Sequence, residues 1–407
     1  MRFIVLLIVM AFIQAFGNQT PSLQTDYAIF LFDHGEKNLI ASMIEYAEKY
    51  DKNKFKDLDL RIIFMGAAAD EMSQEPFSRY PEKLIHYKQL GIEQTIDRHW
   101  LRDRQLDAKS LQNIGKNLIV RKKVWCGVSC ALFGQIVKKY QDQVSVEVAV
   151  LRDNLNPVGD TDYFKVAAQV QHFSNKIVVT SQASAETMPK DKTIVVVGHA
   201  PIEQWQQQAQ SLDKNSIKER LGFNLSDRIV VYSGSYGDGY EEAFRQFLQM
   251  IQDHRITASN LHILIVPHPR YRGVLEKTLY LGLDENVKNN IRIVSESEEN
   301  SLLRIKSLEA LVIADVVVVC DATSTVVAQA NVLKKKVLYI NSKVSQIAEG
   351  LCSKNLIQRI TTSDEMLQFM SKSQQIPESP LCAQTDVFQV WGIPREGARL
   401  LWEEFVH

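Results

Sequence analysis

The chain has 407 residues, 45% of them hydrophobic and 23% charged, and a formal net charge of −1. That length accommodates two domains with full cores, and the near-neutral charge excludes a nucleic-acid binder that works by bulk electrostatics. The five cysteines are odd in number and lack CxxC or His-Cys spacing, which argues against a disulfide framework or a structural metal site, though one disulfide stays open.

At the N-terminus, Arg2, the apolar run Phe3 to Ile13 and the small-residue pattern Ala15-Phe16-Gly17 read as a signal peptide over 1–17, cut before Asn18. The run is too short for a comfortable membrane span. The expectation is a secreted or periplasmic protein, with anchoring by an uncleaved N-terminus, or peripheral membrane association, as the alternative.

Six short apolar runs follow. They are Asp26 to Phe32, Leu60 to Met65, a stretch within Leu118 to Trp125, Val144 to Leu151, Lys176 to Thr180 and Thr193 to Val197. Each ends in small or polar residues, and helix-like segments such as Asn38 to Tyr50 lie between them. Residues 201–227 are rich in Gln, Lys and Ser and read as a polar connector or a surface helix at a domain boundary. The alternation then restarts with strands at Arg228 to Tyr232, His262 to Val266, Ile291 to Val294, Val316 to Val319 and Val337 to Ile340. A tail, 377–407, ends in a helix pattern from Pro394 to Val406. The organisation expected is α/β, two tandem doubly wound Rossmann-like domains over 26–200 and 228–376, facing a central cleft.

Ligands of such sheets bind beyond the carboxyl ends of the strands, so the turns there are the candidates. In the second domain Ser233 to Gly239 (SGSYGDG) bares backbone N–H groups at Gly234, Ser235 and Gly237. It is neither a GxGxxG fingerprint nor a P-loop, and a flexible turn would read the same. His268-Pro269-Arg270 offers two donors on a rigid turn, suited to phosphate or sugar oxygens. Glu296, in an acidic run, could accept hydrogen bonds from a sugar diol or be a solvated loop residue. Thr323-Ser324-Thr325 opens a helix, where hydroxyls, free N–H groups and the helix dipole favour an anion. A plain N-cap gives the same pattern.

In the first domain Asp33-His34-Gly35-Glu36 places three titratable groups on one strand-to-helix turn. Asp33 or His34 could act there as a base on an acceptor hydroxyl, or Asp33 could simply cap the helix. Gly127, Ser129 and Asp153 are lesser candidates, and Gly198-His199-Ala200-Pro201 lies near the hinge. No acidic cluster has metal-ligand spacing, and no GxSxG elbow is present.

The stretches VVYSGSYGDGYEEAF, LIVPHPR and ADVVVVCDATSTVVAQANVLKKKVLYI make the second domain similar to the GT-B glycosyltransferase superfamily and its relatives, the UDP-N-acetylglucosamine 2-epimerases and glycerophosphotransferases. The resemblance implies a nucleotide-sugar donor whose phosphates and nucleotide meet Gly234, Ser235, Gly237, His268, Arg270, Ser324 and Thr325. It implies a metal-independent transferase that moves a sugar to a hydroxyl of a glycan or other acceptor. The donor is a substrate and no further cofactor is expected. A nucleotide-sugar 2-epimerase and a non-catalytic secreted binding protein are the other functions the sequence supports.

Overall fold

The computed structural model describes residues 22–143, 145–155, 162–235, 239–253, 260–268, 273–294, 305–322, 324–341, 346–366 and 386–407. The segment read as a signal, 1–17, lies outside them. Seven strands, β1 (Leu23–Leu31), β2 (Leu60–Phe64), β3 (Leu84–His86), β4 (Leu118–Gly127), β5 (Glu147–Arg152), β6 (Lys176–Val179) and β7 (Thr193–Val196), form one parallel sheet in the order β3-β2-β1-β4-β5-β6-β7. Six more form a second parallel sheet in the order β10-β9-β8-β11-β12-β13. They are β8 (Arg228–Ser233), β9 (Leu261–Val266), β10 (Ile291–Ile293), β11 (Val316–Val319), β12 (Lys336–Tyr339) and β13 (Gln358–Arg359). The strand order of both sheets reverses beside the first strand, as in doubly wound folds.

The apolar runs became strands because parallel sheets bury both faces, and all four valines of β11 are buried. The sequence pattern passed over β3 and β13. These are edge strands of three and two residues, too short to show any alternation.

The elements that build the site are α1 (His34–Tyr50), α2 (Asp162–His172), α3 (Ala200–Gln210), α4 (Lys214–Arg220), α5 (Tyr240–Asp253), α6 (Val274–Leu281), α7 (Ser307–Ile313), α8 (Thr325–Val332) and α9 (Gly397–Val406). Helix α1 starts at His34 rather than Asn38. Asp33 is its N-cap, and Glu36 closes a capping box, a D-x-x-E spacing that satisfies otherwise orphaned N–H groups.

Of the two readings of 201–227, connector or surface helix, the structure shows helices. The segment holds α3 and α4, and its Ile202, Ile217, Leu221 and Phe223 are buried in the core of the second sheet. Helix α3 packs on α1 of the first unit and on α7 and α8 of the second. Leu155, just beyond β5, is buried in that same second core, so the carboxyl edge of the first sheet meets the second unit.

The tail returns to the first sheet. In α9, Phe405 lies with its ring 4.9 Å from that of Trp125 and 5.5 Å from that of Tyr27. Trp402 donates from Nε1 to Asp51 Oδ2 at 3.1 Å. Burying each of these aromatic side chains contributes on the order of 2–3 kcal/mol. Outgoing and returning chains touch at the crossing, where a Cβ on Gly198 would sit 2.4 Å from the Pro394 carbonyl oxygen. Gly198 also has φ +80°, so both space and conformation require glycine there. Glu203 accepts hydrogen bonds from the backbone N–H groups of Glu396 and Gly397 and so seats the start of α9. Among the described residues no helix is long and apolar enough to cross a membrane.

Candidate functional site

Strand register brings the candidate turns of the first unit together. Phe30 pairs with Cys126 and Gly127 with Leu151, so the residues after β1, β4 and β5 share one edge. There Asp33, Glu36, Ser129 and Asp153 converge with Arg102 and with Tyr163 of α2. Glu36 is fully buried. Its Oε2 accepts from the N–H groups of Phe32 at 3.0 Å and Asp33 at 3.3 Å, and its Oε1 accepts from Ser129 N at 3.0 Å. Glycines make the room. A Cβ on Gly127 would lie 1.9 Å from the Glu36 carboxyl carbon, and one on Gly35 would lie 1.7 Å from Asp153 Oδ2.

The residues singled out in this turn occupy different environments. Asp33 is ion-paired with Arg102, whose Nη1 also donates to the Ser129 carbonyl at 2.9 Å. Burial raises the Asp33 pKa, but Arg102 and His34 outweigh it and hold the carboxyl below its ordinary range. His34 is half exposed, with Nδ1 3.3 Å from Glu71 Oε1. Its hydrogen bond to Glu71 raises its pKa, while Glu71, held by His34 and then Lys37, falls to about 2. Arg102 neutralises the Asp33 carboxylate, and Glu71 favours the charged form of the His34 imidazole, so neither is well placed to accept a proton.

Asp153 differs. It is half-buried and accepts from the Tyr163 hydroxyl at 2.5 Å. Burial raises its pKa, and the Asp33 charge adds to that. Glu36 is pushed up to about 8, first by burial and then by the charge of Asp153. The two acids are close enough that they cannot both ionise cheaply.

That pair predicts a pH dependence. An unfolded Glu ionises near 4.5, whereas folded Glu36 does so near 8. Between those values the native state holds a proton that the unfolded chain has released, so its stability falls as pH rises from about 5 to 8. Asp153→Asn removes the neighbouring charge and is expected to flatten that decline. Urea unfolding of both proteins at the two pH values checks it, and equal declines would contradict the coupling.

The second unit gathers its turns in the same way. Ser233 pairs with Val266, and Val318 with Tyr232, so the turns after β8, β9 and β11 lie side by side. Gly234 donates to the Val266 carbonyl at 2.7 Å, and a Cβ on it would sit 2.6 Å from His268 N. The glycine turn and the His268 turn are thus packed backbone to backbone. Ser235 is buried beside Cys320. Ser324 is the N-cap of α8, accepting from Val326 N at 3.3 Å, and Thr325 is the first residue of that helix. Gly237, Arg270, Glu296 and Thr323 lie outside the described residues.

Sequence reasoning missed Arg102, Glu71 and Tyr163. None belongs to a strand-end turn of its own, and only the folded loops bring them to the edge. Glu36, one of the titratable groups of the first turn, carries the signal of its capping role in the D-x-x-E spacing from Asp33. Cys126, Cys130, Cys320 and Cys352 are free thiols; Cys382 lies outside the described residues. Among the described residues no group of three or more His, Cys, Asp or Glu side chains could hold a metal ion.

No protein-family model matches the chain, and no curated protein matches it in sequence. Solved structures do. UDP-GlcNAc 2-epimerase from Neisseria meningitidis, bound to UDP-GlcNAc, superposes with a TM-score of 0.62 at 11% identity, over 94% of this chain and 100% of that one. The enzyme of the same name from Methanocaldococcus jannaschii gives 0.60 at 11% identity, over 95% and 100%. The wall teichoic acid polymerase TagF gives 0.52 at 12% identity, over 94% and 88%. The fold is GT-B. Its two Rossmann-like units are those expected from the strand pattern, and the likeness extends to the epimerase form of the fold.

Proposed function

We propose that the chain is a metal-independent GT-B-type glycosyltransferase. The observation that carries this reading is the pair of sheet edges with unlike chemistry. One is a carboxylate cluster around Asp153, and the other is a set of backbone-rich turns at Gly234, Ser235, His268 and the α8 N-terminus. In this reading the second unit holds the nucleotide sugar. Its diphosphate meets the positive end of α8, with Ser324, Thr325 and His268 as donors, and Gly237, Arg270, Glu296 and Thr323 complete the donor site.

The acceptor hydroxyl enters on the first unit. Asp153 takes its proton, the oxygen attacks the anomeric carbon, and the bond to the diphosphate breaks. The role anticipated for Asp33 or His34 passes to Asp153, because its raised pKa makes it the stronger base. Asp33 then orients Arg102. If the N-terminal segment acts as a signal, this transfer takes place outside the cytosol.

Epimerisation is the second reading, favoured by the fold likeness to the two UDP-GlcNAc 2-epimerases. The experiment is a thermal-shift series of the full chain with nucleotides and nucleotide sugars. A specific ligand at 100 times its Kd is expected to stabilise by about 2.7 kcal/mol. No shift with any nucleotide would sink both enzymatic readings and leave the secreted binding protein. A new sugar nucleotide formed without any acceptor identifies the epimerase.

A further inference from the structure

The carboxyl edge of the first sheet carries the candidate site. The opposite edge carries a charged hollow that the proposed chemistry does not use. Helix α1 leaves the candidate site at His34 and ends at Tyr50 after 17 residues, about 25 Å along its axis. A short helix, Lys52–Asp57, follows, and β2 begins beyond it. Thr25 of β1 donates from Oγ1 to the Asp59 carbonyl at 2.7 Å, so these residues lie where the strands start.

Lys49, Lys52 and Lys56 are spaced three and four residues apart, a pattern that keeps side chains on one helical face. With Arg79 of the turn Phe77–Arg79 they line a hollow of about 610 Å³. Phe55, between the lysines in sequence, is fully buried, its ring 4.8 Å from that of Tyr80 and 5.9 Å from that of Trp402. Lys83 caps the short helix, donating from Nζ to the carbonyls of Lys56 at 3.2 Å and Leu58 at 2.6 Å. The backbone that carries the lysines is therefore held in place.

The charges around the hollow do not cancel. Its four cations share it with two carboxylates, Glu45 and Glu48. Spacing would pair Glu45 with Lys49 and Glu48 with Lys52 as i,i+4 ion pairs, but both carboxylates are engaged elsewhere. Glu48 pairs with Arg79 at 2.5 Å, and Arg79 also meets Glu75 at 2.8 Å. Glu45 accepts from Gln204 Nε2 at 2.8 Å. Among the described residues the three lysines have no carboxylate partner, and all three are exposed. Like charges gathered in this way repel one another, and an anion among them reverses the sign of the interaction.

We infer that this hollow binds a phosphate-bearing anion through Lys49, Lys52 and Lys56. A phosphate presents several acceptor oxygens and can meet more than one ammonium group at once. Lysine suits it as a point charge on a flexible stem. Two sources carry this chemistry, a lipid headgroup and a soluble polyphosphate. The apolar run Phe3 to Ile13 precedes β1 in the chain, and β1 starts at this edge, which makes the headgroup the first source to test. Nothing here rests on the nucleotide reading of the second unit.

Co-sedimentation of the full chain with vesicles of phosphatidylcholine, alone or with phosphatidylglycerol added, tests the lipid source. Calorimetry with tripolyphosphate tests the soluble one. Both use wild type, Lys52→Ala, the Lys52→Ala/Lys56→Ala double variant and Lys54→Ala. Lys54 is an exposed residue of the same short helix that does not line the hollow. The difference between the two vesicles removes whatever the apolar run contributes.

For each probe that wild type binds, the double variant is expected to bind about thirty-fold more weakly. Lys54→Ala should stay within about two-fold of wild type. A loss confined to the vesicles assigns the phosphate to a headgroup, and one confined to tripolyphosphate assigns it to a soluble anion. Wild type that binds neither probe would overturn the inference, as would a double variant of unchanged affinity. So would a loss in Lys54→Ala equal to that in Lys52→Ala, because surface charge at large, and not the hollow, would then hold the phosphate.

Discussion

Asp153→Asn is expected to lower turnover by about two to four orders of magnitude, the usual contribution of a general base, while nucleotide affinity stays as in wild type. The substitution keeps the shape, and the asparagine Oδ1 can still accept from the Tyr163 hydroxyl now bonded to Asp153. What it removes is the proton acceptor. Donor binding should not change, because the nucleotide turns belong to the other sheet. Asp33→Asn should act differently. It weakens the ion pair that holds Arg102, so its effect on turnover should be the smaller of the two. Steady-state kinetics with calorimetric nucleotide titration separates these outcomes. Near-normal turnover in Asp153→Asn would falsify its role as the base.

Gly234→Ala should abolish most nucleotide binding without touching any polar group. The added methyl would sit 2.6 Å from His268 N and 2.9 Å from Pro267 Cα. Both are backbone atoms, and neither can rotate away as a side-chain tip can. The Gly234 N–H also donates to the Val266 carbonyl at 2.7 Å, which ties the glycine to the strand it would need to leave. Overpacking of this kind costs about 1–3 kcal/mol. If the strain is relieved by moving the His268 turn, nucleotide affinity should drop roughly ten- to hundred-fold. Calorimetry on the folded variant measures this, and an unchanged Kd would show that the two turns do not cooperate in binding.

The contrast between Asp33 and Asp153 shows where sequence reading reaches its limit. Asp33 stands out in the chain because it follows an apolar run and sits beside His34 and Glu36. Those neighbours turn out to describe a capping box, a local arrangement that needs nothing from the rest of the molecule. Asp153 has no such neighbours in sequence. Its environment comes from Gly35 and Glu36 of α1 and Tyr163 of α2. Polar composition likewise made 201–227 look like a connector or a surface helix with no core of its own. Four of its apolar residues, Ile202, Ile217, Leu221 and Phe223, are buried in the second core and dock the segment there.

The sequence by itself determined the alternation of apolar strands with helices, and with it two doubly wound units with their turns at the carboxyl edges. Strand and helix formation depend on residue pattern over a few positions, and that pattern is local. It also singled out Gly234, Ser235, His268, Ser324 and Thr325, because glycine, hydroxyl and His-Pro turns carry their signature in adjacent residues. Only the tertiary structure decided which acids are perturbed and which are merely paired. Burial and like charge act through space, between residues as far apart in the chain as Glu36 and Asp153.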